Sequence, residues 1–230
     1  RTLWFWGLAV FLSLGVGYFF MRRSLEQRLK VERLRTKLSS DLHDEMSGLL
    51  SGIAMQTDIL QMQVHEQRVK ERLRRIGEVS RKAMSKMNDV IWSIDSRKDK
   101  MENLIERMRE HADDILMPVD VHYNLELHRV DPNVKIPFEI RQELYFIYKE
   151  AINNVAKHSN ASEVAIVLEN SGKDFVLTVA DNGTGHPDTL QATKGQGLTN
   201  LQMRAQRIGA DLSIQNGHGF TIQLRMRRFT

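Results

Sequence analysis

The stretch "EAINNVAKHS", Glu150 to Ser159, closes the longer run "PFEIRQELYFIYKEAINNVAKHS" at residues 137–159. Ile140, Leu144, Ile147, Ala151, Ile152 and Val155 recur at helical spacing there, and Pro137 stands where a first helical turn tolerates it. The run therefore predicts a helix with one apolar face. Glu150 and Asn154 are four residues apart and project together from that helix. A neutral Asn oxygen suits a magnesium ion, which takes oxygen ligands and keeps several waters. Lys157 and His158 follow one turn later, placed to face phosphate charge. An Asn on a helix is as readily a surface amide, so this segment decides the element before it decides the chemistry.

Working outward, the flanking segments alternate with period two. "VDVHYNLELH" precedes the helix, and "EVAIVLEN" and "FVLTVAD" follow it, joined by the turn "SGKD". "DLSIQ" and "FTIQLRMR" around "NGHG" end the chain. Strands interleaved with single helices predict one helical layer on a mixed sheet, an α/β sandwich. Two glycine motifs sit on its loops. In "DNGTG", Asp181 ends a strand, where a carboxylate can accept a hydrogen bond from an exocyclic amine such as that of adenine. Gly183 and Gly185 permit backbone paths that a side chain would block. In "GQGL", Gly195 and Gly197 allow backbone N–H groups to approach phosphates at the start of the next helix. Either motif alone is as well read as a tight turn. The order and spacing of all these pieces on the expected elements favour a nucleotide site.

The first half reads differently. Leu34, Leu38, Leu42, Met46, Leu49 and Ile53 form one stripe, and Ile76, Val79, Ala83, Met87, Val90 and Ile94 a second. Between them "QVHEQRVKERLRR" has no glycine or proline to fix the turn. Two amphipathic helices cannot enclose a core alone, so the expected arrangement is a homodimer burying four stripes together. A third pattern, Met101, Leu104, Ile105, Met108, Ala112 and Ile115, ends before Pro118. Within the first stripe, "SSDLHDEMSG" (39–48) sets His43 about 100° round from the apolar face, with Asp44 beyond it. A metal ligand, a buried structural histidine and a phosphate acceptor all fit these ten residues, and a lone helical His is more often ordinary surface. The metal reading lacks a ligand-type partner at i+4, where Ser47 stands.

Leu3 to Met21 contains no charged residue and would extend roughly 28 Å as a helix. Trp4, Trp6 and Tyr18 stand toward its two ends, as in interfacial aromatic belts. Arg22, Arg23, Arg28, Lys30, Arg33, Arg35 and Lys37 follow, against Glu26 and Glu32. The expectation is a membrane span with residues 22–230 cytoplasmic. The chain opens on Arg rather than Met, which reads as a piece of a longer protein with any sensor upstream. The composition, 41% hydrophobic and 27% charged over 230 residues, is globular. No cysteine is present, which excludes disulfides and thiolate metal sites. A net charge of +4 is too mild and dispersed to argue for nucleic acid as a direct partner.

"EAINNVAKHS", "DNGTG" and "GQGL" resemble the N, G1 and G2 boxes of the GHKL (Bergerat) ATP-binding fold shared by histidine kinases, gyrase, Hsp90 and MutL. "SSDLHDEMSG" resembles the phosphoacceptor segment of sensor histidine kinases of the His-Asp subfamily, the group related to nitrate-sensing and membrane-fluidity-sensing kinases. "VIWSID" (90–95) is similar to the second dimerisation helix of Bacteroidetes-type members. The resemblance implies a membrane-bound bacterial two-component kinase. Its parts would be a transmembrane helix at 3–21, a signalling helix or coiled coil at 22–38, a dimerisation and histidine phosphotransfer domain at 39–117, and a catalytic domain at 118–230. His43 would accept the γ-phosphoryl group of ATP on Nε2, and Asp44 would orient and activate the ring. Glu150 would support the magnesium site or act as a base, and Asn154 would ligate Mg²⁺. Lys157, His158, Asp181, Gly183, Gly185, Gly195, Gly197 and Leu198 would frame ATP. The phosphoryl group would then pass to an aspartate of a separate response regulator. Gly48 stands where related kinases often carry a Gln thought to serve dephosphorylation, which puts that activity in doubt. A scaffold with a degenerate nucleotide domain, and a GHKL serine kinase or ATPase, are the alternative readings.

Overall fold

The computed structural model describes residues 3–184, 196–217 and 219–229. The chain divides into two compact units, Arg1–Arg97 and Lys98–Thr230.

The first unit is a helical hairpin. Helix α1 runs from Leu3 to Gln63, and α2 from Gln67 to Ile94. The connection that the sequence leaves open is three residues, Val64 to Glu66. The Val64 amide still bonds to the Leu60 carbonyl, and the Val69 and Lys70 amides return to the Glu66 carbonyl. Within the hairpin the two helices meet through small and polar groups. Ser39 Oγ donates to the Ile91 carbonyl at 3.1 Å, and Ser80 Oγ to the Leu50 carbonyl at 2.7 Å. Gly77, Ser80, Asp89, Ile91 and Ser93 are the buried residues of α2. The expected stripe lies beside these and stays largely open, with Ile76 50% and Val79 67% exposed. The face that α2 turns to α1 is therefore offset from the apolar stripe, because hydroxyls that bond to carbonyls let the two backbones approach.

The uncharged run at residues 3–21 is helical and continuous with the rest of α1. Among the described residues, however, no helix is long and apolar enough to cross a membrane, so the expected span has no support from the structure. The side chains of Leu3, Phe5 and residues 7–10 lie outside the described set. From Phe11 onward the apolar run meets Arg22 and Arg23 within about three turns.

The second unit is a five-stranded mixed sheet covered by helices. Its elements are α3 (Met101–Leu116), β1 (His122–His128), α4 (Phe138–Asn154), β2 (Glu163–Ser171), β3 (Asp174–Asp181), α5 (Gln196–Arg207), β4 (Asp211–Gly217) and β5 (Gly219–Arg227). The sheet order is β1-β2-β3-β5-β4, with β1 parallel to β2 and every other pair antiparallel. The α/β sandwich is as expected. Helix α3, which the sequence reading grouped with the helices before it, packs on α4 inside this unit. Leu104, Met108, Ala112 and Leu116 from α3 are at most 1% exposed, as are Leu144, Ile147, Ala151 and Ile152 from α4. Helix α4 buries more than one face, because Tyr145 and Tyr148 are also enclosed and Tyr148 Oη donates to the Met108 carbonyl at 2.7 Å. The fully buried Arg141 pairs with Asp99 at 3.0 Å and ties the entry of the unit to α4.

Candidate nucleotide site and histidine helix

The site in the second unit is built where α4, β3 and α5 end or begin. Helix α4 stops being regular at Asn154 and widens into a π-helical turn, Val155–Ser159, closed by Asn160 in the left-handed conformation. Such turns are uncommon and collect at functional sites. Glu150 and Asn154 lie half-buried on the last turns of α4, and Lys157 and His158 stand exposed on the π turn. The same turn presents the Ser159 carbonyl to the end of β3, where the Thr184 amide donates to it at 3.2 Å. A Cβ on Gly183 would collide with that carbonyl, so only glycine lets the two segments close.

Asp181 is 6% exposed. Its Oδ1 accepts the Gly183 amide at 2.9 Å, while its Oδ2 is buried with no hydrogen-bond partner among the described residues. A buried carboxylate oxygen left unpaired is costly unless something donates to it. An exocyclic amine fits that requirement. Asn182 fixes the turn, because its Oδ1 accepts from the Ser162 and Glu163 amides and its Nδ2 donates to Ser162 Oγ, each at 3.0 Å.

Helix α5 begins against the same region. A Cβ on Gly197 would stand 2.9 Å from Glu150 Oε1, so the first turn of α5 abuts the carboxylate of α4. Leu198 is half-buried beside it. The structure thus joins Glu150 to Gly197, and Asp181 and Gly183 to Ser159, from motifs far apart in sequence. Gly185 and Gly195 lie outside the described residues. A cavity of about 550 Å³ also opens beside Asp181, but its lining of β1, β2 and β3 residues includes neither Glu150 nor Gly197, so it is not this site.

Sequence reasoning passed over the far end of α5. Glu143, two turns before Glu150 on α4, is buried and receives Arg204 at 2.6 Å and Arg207 at 3.1 Å. The matching spacings, Glu143 to Glu150 and Gly197 to Arg204, were the available signal.

On the hairpin, His43 and Asp44 are both exposed on α1. Within one chain His43 is therefore not buried, which fits a phosphate acceptor and an ordinary surface histidine alike. Among the described residues no group of three His, Cys, Asp or Glu forms that could hold a metal ion. A polar cluster flanks the stretch on its N-terminal side. Arg35 Nε donates to the Ile94 carbonyl at 3.1 Å, and the Thr36 and Ser96 hydroxyls lie 2.7 Å apart.

Comparison with known proteins places both halves. Residues 35–100 match the family described as histidine kinase, and residues 139–229 the family described as histidine kinase-, DNA gyrase B-, and HSP90-like ATPase. The chain is 26% identical to sensor histidine kinase LiaS of Bacillus subtilis, over 85% of this chain and 54% of LiaS. It is likewise 26% identical to sensor histidine kinase DesK of the same organism, over 85% of this chain and 51% of DesK. The nitrate/nitrite sensor protein NarX of Escherichia coli is 26% identical over 83% of this chain and 32% of NarX. The chain therefore spans about half or less of the length of these relatives. Among solved structures, the Acinetobacter baumannii histidine kinase AdeS shares the fold at a TM-score of 0.52 and 15% identity, over 80% of this chain and 97% of AdeS. Full-length ShkA in complex with AMPPNP does so at 0.53 and 16%, over 83% of this chain and 45% of ShkA.

Proposed function

We propose that this chain, with its histidine kinase and ATPase segments, works as part of a sensor histidine kinase and transfers the γ-phosphoryl group of ATP to His43 and then to an aspartate of a response regulator. The observation that carries the ATP half of this reading is the buried, unpartnered Oδ2 of Asp181 beside a glycine seated on the Ser159 carbonyl. In the transfer, the lone pair of His43 Nε2 attacks the γ-phosphorus, and the bond to the β–γ bridging oxygen breaks as ADP leaves. Asp44 accepts the Nδ1–H of the ring and stabilises the positive charge that forms there.

Asp181 reads the adenine amine through Oδ2, and Gly183, Gly197 and Leu198 shape the surface around the nucleotide, with Gly185 and Gly195 assigned by motif. Lys157 and His158 face phosphate charge. Asn154 would hold Mg²⁺ with Glu150 in support, since an amide or carboxylate oxygen suits that ion. Bound Mg²⁺ would neutralise charge on the transferring group, which with positioning supplies most of the rate in such reactions.

Two further parts of the reading rest on other observations. The open stripes of α1 and α2, with Leu38 45%, Leu49 63% and Val79 67% exposed, support a homodimer in which a second copy covers them. Anchoring in a bacterial cytoplasmic membrane is supported by sequence alone, through the uncharged run at 3–21 and the basic residues after it.

Supplying radiolabelled ATP with Mg²⁺ to the full chain tests the reaction. Phosphate that is labile in acid and stable in base should appear on the protein and be absent from His43→Gln. Equal labelling of that variant would refute the assignment of His43, and acid-stable label would point to serine or threonine instead.

A further inference from the structure

We propose that the ion pair of Glu143 with Arg204 and Arg207 is a positioning device that sets the register of α5, and so the distance between the first turn of α5 and Glu150 at the nucleotide site. The proposal rests on the reading that the second unit binds ATP.

The geometry is a two-point attachment. Gly197 meets Glu150 at one end, and Arg204 meets Glu143 at the other. The spacing is the same on both helices, so α4 and α5 run antiparallel with matched contacts two turns apart. Between these ends the guanidinium of Arg204 also lies over the Phe146 ring, 4.6 Å from its centroid. Glu143, Phe146 and Glu150 thus share one face of α4.

Adhesion alone does not explain this arrangement. Leu201 and Ala205 of α5 are at most 1% exposed and already dock the helix on the unit. Such contacts are non-directional and by themselves set the axial position of a helix less sharply than a directional bond does. One residue of slip is about 1.5 Å. That shift would carry Gly197 off the Glu150 carboxylate or drive a bulkier neighbour onto it. Charge-assisted bonds from a planar guanidinium are directional and short, so they fix the axial position that apolar packing leaves loose. A Glu side chain only 8% exposed is also a poor choice for stability, since well-packed apolar residues usually match a buried ion pair. Its presence is accounted for by register. The helix so fixed carries Gly197 and Leu198 in its first turn, the residues assigned to the nucleotide.

Titration of the full chain with ATP and Mg²⁺, followed by calorimetry, tests the proposal beside thermal melting of the same proteins. Glu143→Gln should weaken ATP about tenfold. The exchanged pair Glu143→Arg with Arg204→Glu should recover most of that loss. Leu201→Ala, which loosens the apolar contact alone, should lower the melting temperature with a smaller effect on affinity. ATP affinity that follows melting temperature across all three variants would overturn the positioning role. Parent-like binding by Glu143→Gln would overturn it as well. If Glu143→Gln does not fold, Arg207→Ala decides: Arg207 is 64% exposed, a two- to fivefold weakening (of the order found for residues that modulate coupling) supports the pair, and unchanged binding overturns it. A parent chain that does not bind ATP would remove the nucleotide reading itself, a result separate from these.

Discussion

The two units of this chain use the same apolar helical pattern to opposite ends. In α4, Leu144, Ile147 and Ile152 recur at helical spacing and are at most 1% exposed, enclosed by α3 and the sheet of their own unit. In α1, Leu38, Leu42, Met46, Leu49 and Ile53 recur just as regularly, yet they remain 37–63% exposed. The hairpin closes through Ser39 and Ser80 and leaves large apolar side chains outside. A periodic stripe therefore states that a face needs covering and is silent on what covers it. In the second unit the cover is intramolecular; in the first, a second copy is the economical answer.

The largest expected effect lies in the closed unit. Leu144→Ala should cost about 2–5 kcal/mol, since the methyl groups removed leave a cavity in a core that relaxes only in part. Hydrogen exchange of the second unit reads this loss, which should not depend on protein concentration. All three tryptophans, Trp4, Trp6 and Trp92, belong to the first unit, so tryptophan fluorescence should follow the hairpin instead. A loss that grew on dilution would show that the closed unit also depends on a partner.

The open unit should respond in the opposite way. Leu49→Glu and Val79→Glu place a charge on surface that is already exposed in one chain, so the helicity of the isolated hairpin should change little. Dimerisation should weaken by tenfold or more, about 1.4 kcal/mol or above, because each carboxylate would be desolvated in the interface. Sedimentation across a dilution series measures it. Unchanged association would place the second copy elsewhere and leave the stripes unexplained.

How much of this was legible depended on whether a pattern is local. Strands β1 to β5 and helix α4 followed from alternation, spacing and turn residues, and Gly172 at φ 64 sits in the expected "SGKD" turn. The motif residues Glu150, Asp181, Gly183 and Gly197 were named from sequence, but only the fold seats Gly197 on Glu150 and Gly183 on Ser159. The face that α2 turns to α1 was not legible, because Gly77 and Ser80 do not register as a packing stripe although they permit close approach. Glu143 and Arg141 read as ordinary helix polarity; their burial depends on Arg204, Arg207 and Asp99, which are remote in sequence. Asp181 was readable as a strand end, whereas its unpaired Oδ2 emerges only when the neighbouring amides are accounted for.

Alkaline pH separates the units further. Burial holds the Tyr148 phenol well above its ordinary range. Burial, with the hydrogen bond from Tyr123 to Asp113, pushes the Tyr123 phenol up to about 12. Both groups bind their proton more tightly folded than unfolded. Their contribution is complete below the unfolded value near 10 and is lost as pH rises through the folded values. Both belong to the second unit, which should therefore soften above pH 10. Tyr148→Phe should cost about 1 kcal/mol at neutral pH, from the lost bond to Met108, and flatten the alkaline decline. An unaltered slope in that variant would assign the alkaline loss to Tyr123.

The smallest effect bears most directly on where the second copy sits. Gly48 lies within continuous α1, five residues after His43, and a Cβ built there meets no atom within 4 Å. In a helix interior alanine is favoured over glycine by about 0.8–1.0 kcal/mol, so Gly48→Ala should stabilise the hairpin by up to that amount. Gly48 also precedes Leu49 and is displaced from the apolar stripe, so the dimer constant should stay within about twofold of the parent if only the stripe is covered. Denaturation followed by tryptophan fluorescence reports the first quantity and sedimentation the second. Weaker dimerisation by Gly48→Ala would mean that the partner's backbone comes close enough to exclude a methyl group. The glycine would then mark close contact between copies near His43, and the open face of the first unit would reach further round α1 than the leucines alone indicate.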